Sequence, residues 1–198
     1  MPFWSTNYSA DPTLSEPKRN YRFKVEFQGI NSPQGGAMLW YAKSADKPSY
    51  TMDGVAEHKF LNHTFKFPGT IKWSDVTVSL VDPGEPDMMA TFSDIMQTSG
   101  YLPPANSNSL ESMTKAKAAY ALGAVYVSQL DGDGREIETW NLWNAFIKEV
   151  KPGKLDYGST ELTTLDITLT YDWATLNTKE GSVATNGTSG KTSFYSIT

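Results

Sequence analysis

The sequence predicts a mainly β fold of the α+β class, antiparallel strands with one or two helices. Three observations predict it. Apolar and polar residues alternate with a period of two at residues 21–27, 71–81 and 163–173, the mark of strands with one buried face. Turn signals built from Gly, Pro and Asp separate the runs at short intervals. Only two stretches carry apolar residues at helical spacing. At 198 residues, 39% of them hydrophobic, the chain is long enough for one domain with its own core. Cysteine is absent, which excludes disulfide frameworks, thiolate zinc sites and cysteine nucleophiles. A formal net charge of −5 argues against a protein that coats nucleic-acid phosphates.

Residues 1–19 are polar, are broken by Pro2, Pro12 and Pro17, and read as an arm. The first strand starts at Tyr21, with Tyr21, Phe23, Val25 and Phe27 against Arg22, Lys24, Glu26 and Gln28. Residues 37–67 read as a long hairpin turning at Met52-Asp53-Gly54 and closed by Pro68-Gly69. Residues 71–81 form a strand ended by Asp82-Pro83-Gly84. Pro86 then opens a helix whose Met88, Met89, Phe92, Ile95 and Met96 fall at helical spacing, until Ser99-Gly100 stops it. The methionines read as core or interface filler. A second helix is expected over 109–122, capped by Asn108 with Glu111 reaching back, and ended by Gly123. Residues 124–150 form a second long hairpin, turning at Asp131-Gly132-Asp133-Gly134. The last strand is the cleanest, Thr163, Leu165, Ile167, Leu169, Tyr171 and Trp173 alternating with polar residues, and residues 175–198 read as a flexible tail. The domain itself is thus placed at residues 20–174.

The catalytic motifs fail one by one, and no enzyme, metal or cofactor is expected. His58 and His63, the only histidines, are placed on opposite faces of one strand by their odd spacing, which denies them a shared metal or proton. Asp131-Gly132-Asp133-Gly134 has Glu136 where a calcium loop needs glycine and Leu142 where it needs glutamate, so it reads as a turn. Gly190-Lys191-Thr192 lacks the upstream glycine and the flanking strand of a phosphate loop. No carboxylate pair stands out for glycoside hydrolysis. The first residues have neither a basic nor an apolar signal region, so no secretion is expected. The triplets at Asn7, Asn62 and Asn186 then read as chance. The longest apolar run, 118–127, is broken by Gly123 and spans about half of the ~20 residues a membrane helix needs.

Both long hairpins carry apolar residues on two faces. In the second, Trp140, Leu142 and Phe146 lie on one side and Ile137, Trp143 and Ile147 on the other. Two-sided apolar strands need a partner on each side, and long strands leave edges that invite another chain. The expected consequence is an obligate oligomer mediated by β-structure, with Trp40, Trp140, Trp143 and Phe146 as subunit-contact candidates.

The chain also resembles a known family, the tail tube proteins of contractile-tailed, T-even-like bacteriophages. The resemblance is carried by Asn20-Tyr21-Arg22-Phe23-Lys24-Val25-Glu26-Phe27, Ala42-Lys43-Ser44-Ala45-Asp46-Lys47-Pro48 and Phe67-Pro68-Gly69-Thr70-Ile71-Lys72-Trp73-Ser74-Asp75-Val76-Thr77-Val78. Leu80-Val81-Asp82-Pro83, Leu155-Asp156-Tyr157-Gly158-Ser159 and Thr168-Leu169-Thr170-Tyr171-Asp172-Trp173-Ala174 complete it. It implies an antiparallel β-sandwich or barrel-like tail-tube fold with two long lumen-lining hairpins. Copies would form hexameric rings stacked into a tube, with sheath, baseplate and tape-measure proteins as partners. DNA would pass as cargo without sequence-specific binding, and no membrane is involved. The location implied is the virion tail, assembled in the host cytoplasm.

Lumen-facing candidates are His58, Asn62, Thr64 and Lys66 in the first hairpin and Glu136, Glu138, Asn144 and Lys148 in the second, although Trp140, Leu142 and Phe146 share the latter register. Two alternatives stay open. One is a carbohydrate-binding β-sandwich gripping sugars with Trp40, Trp140 and Trp143; the other is a baseplate tube initiator or a tube subunit of a related contractile injection system.

Overall fold

The structure, a computed structural model, describes residues 17–30, 42–85, 87–103, 112–179 and 190–196. In chain order its elements are β1 (Phe23–Phe27), β2 (Ala42–Ala45), β3 (Tyr50–Asp53), β4 (Ala56–Phe60), β5 (His63–Phe67), β6 (Thr70–Trp73) and β7 (Val76–Val81), then α1 (Met88–Thr98) and α2 (Lys115–Leu122). The chain continues with β8 (Val125–Leu130), β9 (Glu136–Trp143), β10 (Phe146–Pro152), β11 (Thr164–Thr170), β12 (Trp173–Thr178) and β13 (Ser193–Phe194). Two sheets form the body, a five-stranded one ordered β1-β8-β9-β12-β13 and a four-stranded one ordered β10-β11-β7-β2, both antiparallel and neither closed into a barrel.

The alternating residues meet between these sheets. Val25, Phe27, Val125, Val127, Leu142 and Ala174 face Val76, Val78, Leu80, Leu165, Ile167 and Leu169, all buried. Helix α1 adds Met88, Phe92 and Ile95 to this core, Phe92 standing edge-on to Phe27 at 6.3 Å. Asp87 caps α1, its Oδ1 accepting the Ala90 N–H at 2.9 Å. Helix α2 starts later than the sequence pattern indicates: residues 112–114 are not helical, and Thr114 is the cap, accepting the Lys117 N–H. Asn108 and Glu111, expected at that cap, lie outside the described residues.

Three expectations are corrected. Residues 136–150 are not one strand, because the chain bends at Asn144, whose φ is 54°, and leaves the five-stranded sheet for the four-stranded one. The inward parity changes there, from Leu142 in β9 to Ile147 in β10, which is why this stretch looks apolar on both sides. Residues 163–173 likewise split at Tyr171-Asp172, β11 staying in one sheet and β12 in the other. The two corners are bonded together, Asn144 Nδ2 donating to Asp172 at 2.8 Å and the Asp172 N–H donating to the Trp143 carbonyl at 3.1 Å. Lys115 of α2 reaches the same carboxylate at 2.6 Å, so the side-chain hydrogen bond from Lys115, followed by that from Asn144, holds the Asp172 carboxyl below its usual range. Finally, strand pairing continues past residue 174, into the stretch expected to be a flexible tail. β12 runs to Thr178 in full register with β9, and Ser193–Phe194 pair with it as β13.

Between the body sheets and solvent stands one further unit. β2 to β7 form a single hairpin whose pairing runs without a slip from Ala45↔Val78 to Phe60↔His63, joined by the Asp46 N–H to Thr77 O and Ser74 N–H to Ser49 O bonds. Its root, β2 and β7, belongs to the four-stranded sheet. Its tip, residues 50–73, pairs with no third strand among the described residues. Each arm of the tip reaches about 36 Å. The reversal lies at Leu61-Asn62, not at Met52-Asp53-Gly54. Gly54 instead faces Gly69 across the ribbon, where the arms approach so closely that a Cβ on Gly69 would meet the Asp53 carbonyl at 1.9 Å.

Candidate functional site

Residues opposite one another in an antiparallel pair point the same way, so the register assigns the faces of the ribbon. Tyr50/Trp73, Met52/Ile71, Ala56/Phe67, His58/Phe65 and Phe60/His63 share one face. Thr51/Lys72, Asp53/Thr70, Glu57/Lys66 and Lys59/Thr64 share the other, with Lys66 3.5 Å from Glu57. The tip is amphipathic, one face aromatic and one charged.

At the root this polarity is reversed. The side bearing Ala45, Val76 and Val78 looks into the core, and it continues outward as the charged face. The side bearing Ser44, Ser79 and Thr77 looks outward and continues as the aromatic face. Trp73, at the base of the aromatic face, still packs against the chain's own core; the rest of that face extends beyond it. Phe60 stays 61% exposed, Phe67 55% and Phe65 47%, with Leu61 at the turn 88%. Among the described residues each arm has one partner, so two strand edges flank this surface. A two-stranded ribbon with an uncovered apolar face is marginal in water by itself.

Among the described residues, only the base of the aromatic face has a cover. Tyr195, brought back by β13, packs edge-on to Trp73 at 5.5 Å and Tyr50 at 5.9 Å, and its hydroxyl donates to that of Tyr50 at 3.1 Å. Tyr171 lies 6.0 Å below Trp73, and burial, with the Asp75 carboxylate nearby, pushes its hydroxyl up to about 12.

A buried ion cluster braces the root. Glu138 of β9 is 8% exposed; it accepts from Lys47 Nζ at 2.9 Å, from Trp140 Nε1 at 2.7 Å and from Lys18. Gln129 accepts from Lys47 and donates to the Arg19 carbonyl. Burial alone would raise the Glu138 carboxyl, but the hydrogen bonds from Lys18, Lys47 and Trp140 outweigh it and hold it at about 2. Residues 18–19 are thereby fastened to the body, although they fell within the arm expected over 1–19. Glu138→Gln is expected to cost about 1–3 kcal/mol at pH 7, discounted because both lysines are half exposed. A carboxyl whose folded value is depressed stabilises above its ordinary 4.5 and loses that contribution as pH falls toward 2. Urea unfolding of both proteins at pH 7 and pH 3 checks this: the gap between them narrows in acid.

The other sequence-derived candidates scatter. His58 lies on the aromatic face and Thr64 and Lys66 on the charged one, so these three do not share the polar register expected of them; Asn62 sits in the turn. The hairpin explains why: across a reversal, even positions in one arm face odd positions in the other. It also overturns the separation of His58 from His63, which share a face. Glu138 is buried and does not look into open space. Glu136 pairs with Lys24 and Thr139 at the open end of β9. Asn144 and Lys148 lie past the bend, on Asp172 and, at 2.6 Å, on Asp75.

Among the contact candidates, Trp140 packs against the core, and Trp143 stacks on Trp173 at 5.8 Å while donating to Thr175. Phe146 opens β10, half-buried, and Trp40 lies outside the described residues. The aromatic face itself was missed. Its signal, apolar residues at even positions before Leu61 and odd positions after Asn62, appears only when the turn is placed there.

A cleft of about 770 Å3 between the helices and the five-stranded sheet is lined by Ile95, Tyr120, Tyr126 and Trp143, with Asp94 as its one carboxylate and no histidine. Among the described residues no group of three or more His, Asp or Glu is placed to hold a metal, and no helix is long and apolar enough to cross a membrane.

No family model matches the chain, and no curated protein does. Solved structures do. The chain aligns over 88% of its length with 99% of a chain in the anti-feeding prophage tube-terminating cap, at a TM-score of 0.59 and 20% identity. It aligns over 83% with 99% of a chain in the sheath/tube terminator of an extracellular contractile injection system, at 0.58 and 20%. The SPP1 tail tube matches over 82% of this chain and 80% of that one, at 0.52 and 10%. The chain has the fold that these tail-tube and tube-terminator structures share.

Proposed function

We propose that this chain is a structural, non-enzymatic subunit of the tube of a contractile tail or injection particle, polymerising with copies of itself. The observation that carries the reading is the ribbon, whose aromatic face is, among the described residues, covered only at its base. A second copy is the natural cover, since a tube presents the same surface at every step. The shared fold with tube and tube-terminator structures supports this reading.

In its finer form the proposal is that hexameric rings stack into a conduit through which DNA leaves a virion, with sheath, baseplate and tape-measure proteins as neighbours and assembly in the host cytoplasm. The net charge of −5 is in keeping with a conduit that does not hold DNA by its phosphates. Trp140 packs against the core and Trp143 stacks on Trp173, so two of the tryptophans that the sugar-binding alternative would use are engaged within the chain.

Sedimentation velocity over a concentration series, followed by negative-stain imaging, tests the proposal. Rings or tubes with an open centre are expected, and single unstacked rings would point to a terminator. A monomer at every concentration and ionic strength overturns it.

A further inference from the structure

We infer that residues 190–196 are a clasp that fixes the angle of the ribbon to the body, with Tyr195 as the positioning residue that closes it. The inference concerns the single chain and goes beyond the tube reading, on which it does not depend.

Among the described residues, strand pairing ties the ribbon to the body only at its root, in the four-stranded sheet. Its arms leave that sheet through two facing interruptions, residues 46–49 and 74–75, which lie outside the strands. A two-stranded ribbon beyond such a break has little of its own to hold its direction. On the side of the four-stranded sheet Asp75 braces the break, accepting from Lys148 Nζ at 2.6 Å and from Thr170 Oγ1 at 2.8 Å.

The clasp comes from the other sheet. Ser193 and Phe194 pair with Asn177 and Leu176 of β12, and the Thr178 N–H donates to the Thr192 carbonyl at 2.7 Å, which holds the segment at the edge of the five-stranded sheet. The next residue crosses to the ribbon. Tyr195 stands edge-on to Trp73 and Tyr50, whose own rings are 5.2 Å apart and which form the first facing pair beyond the break. The hydrogen bond between the Tyr195 and Tyr50 hydroxyls, and then burial, raise the Tyr195 hydroxyl above its ordinary range. The three rings thus join an arm rooted in one sheet to the edge of the other.

The backbone points the same way. Tyr195 has a φ of 61°, a left-handed conformation in which a bulky residue is seldom found. Such a conformation persists where the surroundings over-determine it. Here β13 fixes the chain just before the residue and the ribbon rings fix its side chain, so the strained position is the joint between two anchors. Tyr195 is 45% exposed and lies outside the buried core, so its contact serves the ribbon rather than the sandwich. A ribbon whose direction is already set would also meet a second copy at a lower ordering cost.

Hydrogen–deuterium exchange of the full chain, diluted until sedimentation velocity shows a monomer, tests the clasp with Y195A and Y195F. In Y195A the amides of residues 50–53 and 70–73 are expected to exchange about tenfold faster, while those of β7 and β11 keep their wild-type rates. Y195F keeps the ring and loses the hydroxyl bond, and should stay within about threefold of the wild type. Unchanged exchange at residues 50–53 and 70–73 in Y195A overturns the inference. So does a loss of protection that extends equally to β7 and β11, or a Y195A chain that fails to fold, since either makes Tyr195 a support of the sandwich. A wild-type chain that stays monomeric at every concentration removes the tube reading and leaves this test as decisive as before.

Discussion

Phe65→Glu combined with Phe67→Glu is expected to abolish the proposed assembly and leave the monomer folded. Both rings lie on the aromatic face of β5, about half exposed, and neither belongs to the buried core. The free chain therefore loses little when they become carboxylates. The contact loses twice: each ring gives up about 1 kcal/mol of further burial, and each new carboxylate would have to be desolvated or would push the copies apart. Together these amount to more than about 4 kcal/mol, a thousandfold or more in the dissociation constant. Thr64→Glu is the control, since it adds charge to the opposite face beside Lys59. The readouts are the melting temperature, expected to shift by no more than about 2 °C, and the sedimentation profile, expected to be monomeric for the double variant alone. Tubes in the double variant would show that the aromatic face is not the contact. A collapsed melting temperature would show that the tip is folded against the body.

The parts of the fold that sequence revealed are those where one strand stays in one sheet. Val25 and Phe27, Val76, Val78 and Leu80, and Leu165, Ile167 and Leu169 all sit where the alternation places them, in the core between the sheets. Helix α1 was legible from its apolar residues at helical spacing, although it starts at Met88 with Asp87 as its cap, a role the sequence reading did not give that residue. The misread strands at Asn144 and Asp172 share one cause. A strand that crosses from one sheet to the other keeps its β-propensity while its inward parity flips, so Leu142 and Ile147 read as two faces of one strand rather than as one core seen from two sheets. Asn144, which tolerates its left-handed conformation, gave no stronger signal than any polar residue.

The turn of the ribbon was hidden by residues that look more like turns than the turn does. Asp53-Gly54 and Pro68-Gly69 are strong reversal signals, yet they face each other across the ribbon, where they let the arms pinch. The reversal falls at Leu61, whose φ of 51° is a conformation that leucine seldom adopts. A misplaced turn scrambles every facing pair. The candidate site was thus only partly legible: an unfinished β-ribbon was expected, but the face that is unfinished could not be assigned until the register was known.

Gly123→Ala is expected to destabilise the monomer by about 4 kcal/mol, a large loss for one added methyl group. Gly123 follows α2 with φ 70° and ψ −163°, a combination essentially reserved for glycine. Its backbone also lies against that of Gly29. The Gly29 N–H donates to the Leu122 carbonyl at 3.0 Å and the Gln28 N–H to the Ala124 carbonyl at 2.9 Å, extending the β1–β8 ladder over the end of the helix. A Cβ on Gly123 would stand 2.5 Å from the Gly29 nitrogen, and the partner is backbone that has no side chain to rotate away. Relief requires shifting either β1, with Val25 and Phe27 in the core, or the joint that holds Leu122 and Val125 there. Gly134→Ala separates the two contributions, because Gly134 has a similar φ of 78° in the β8–β9 turn but open space around its Cβ. That variant should cost about 1–2 kcal/mol from conformation alone. Urea denaturation of the two variants reads the difference directly; equal losses would mean that the β1–α2 joint yields without cost and does not fix where the helices sit on the sandwich.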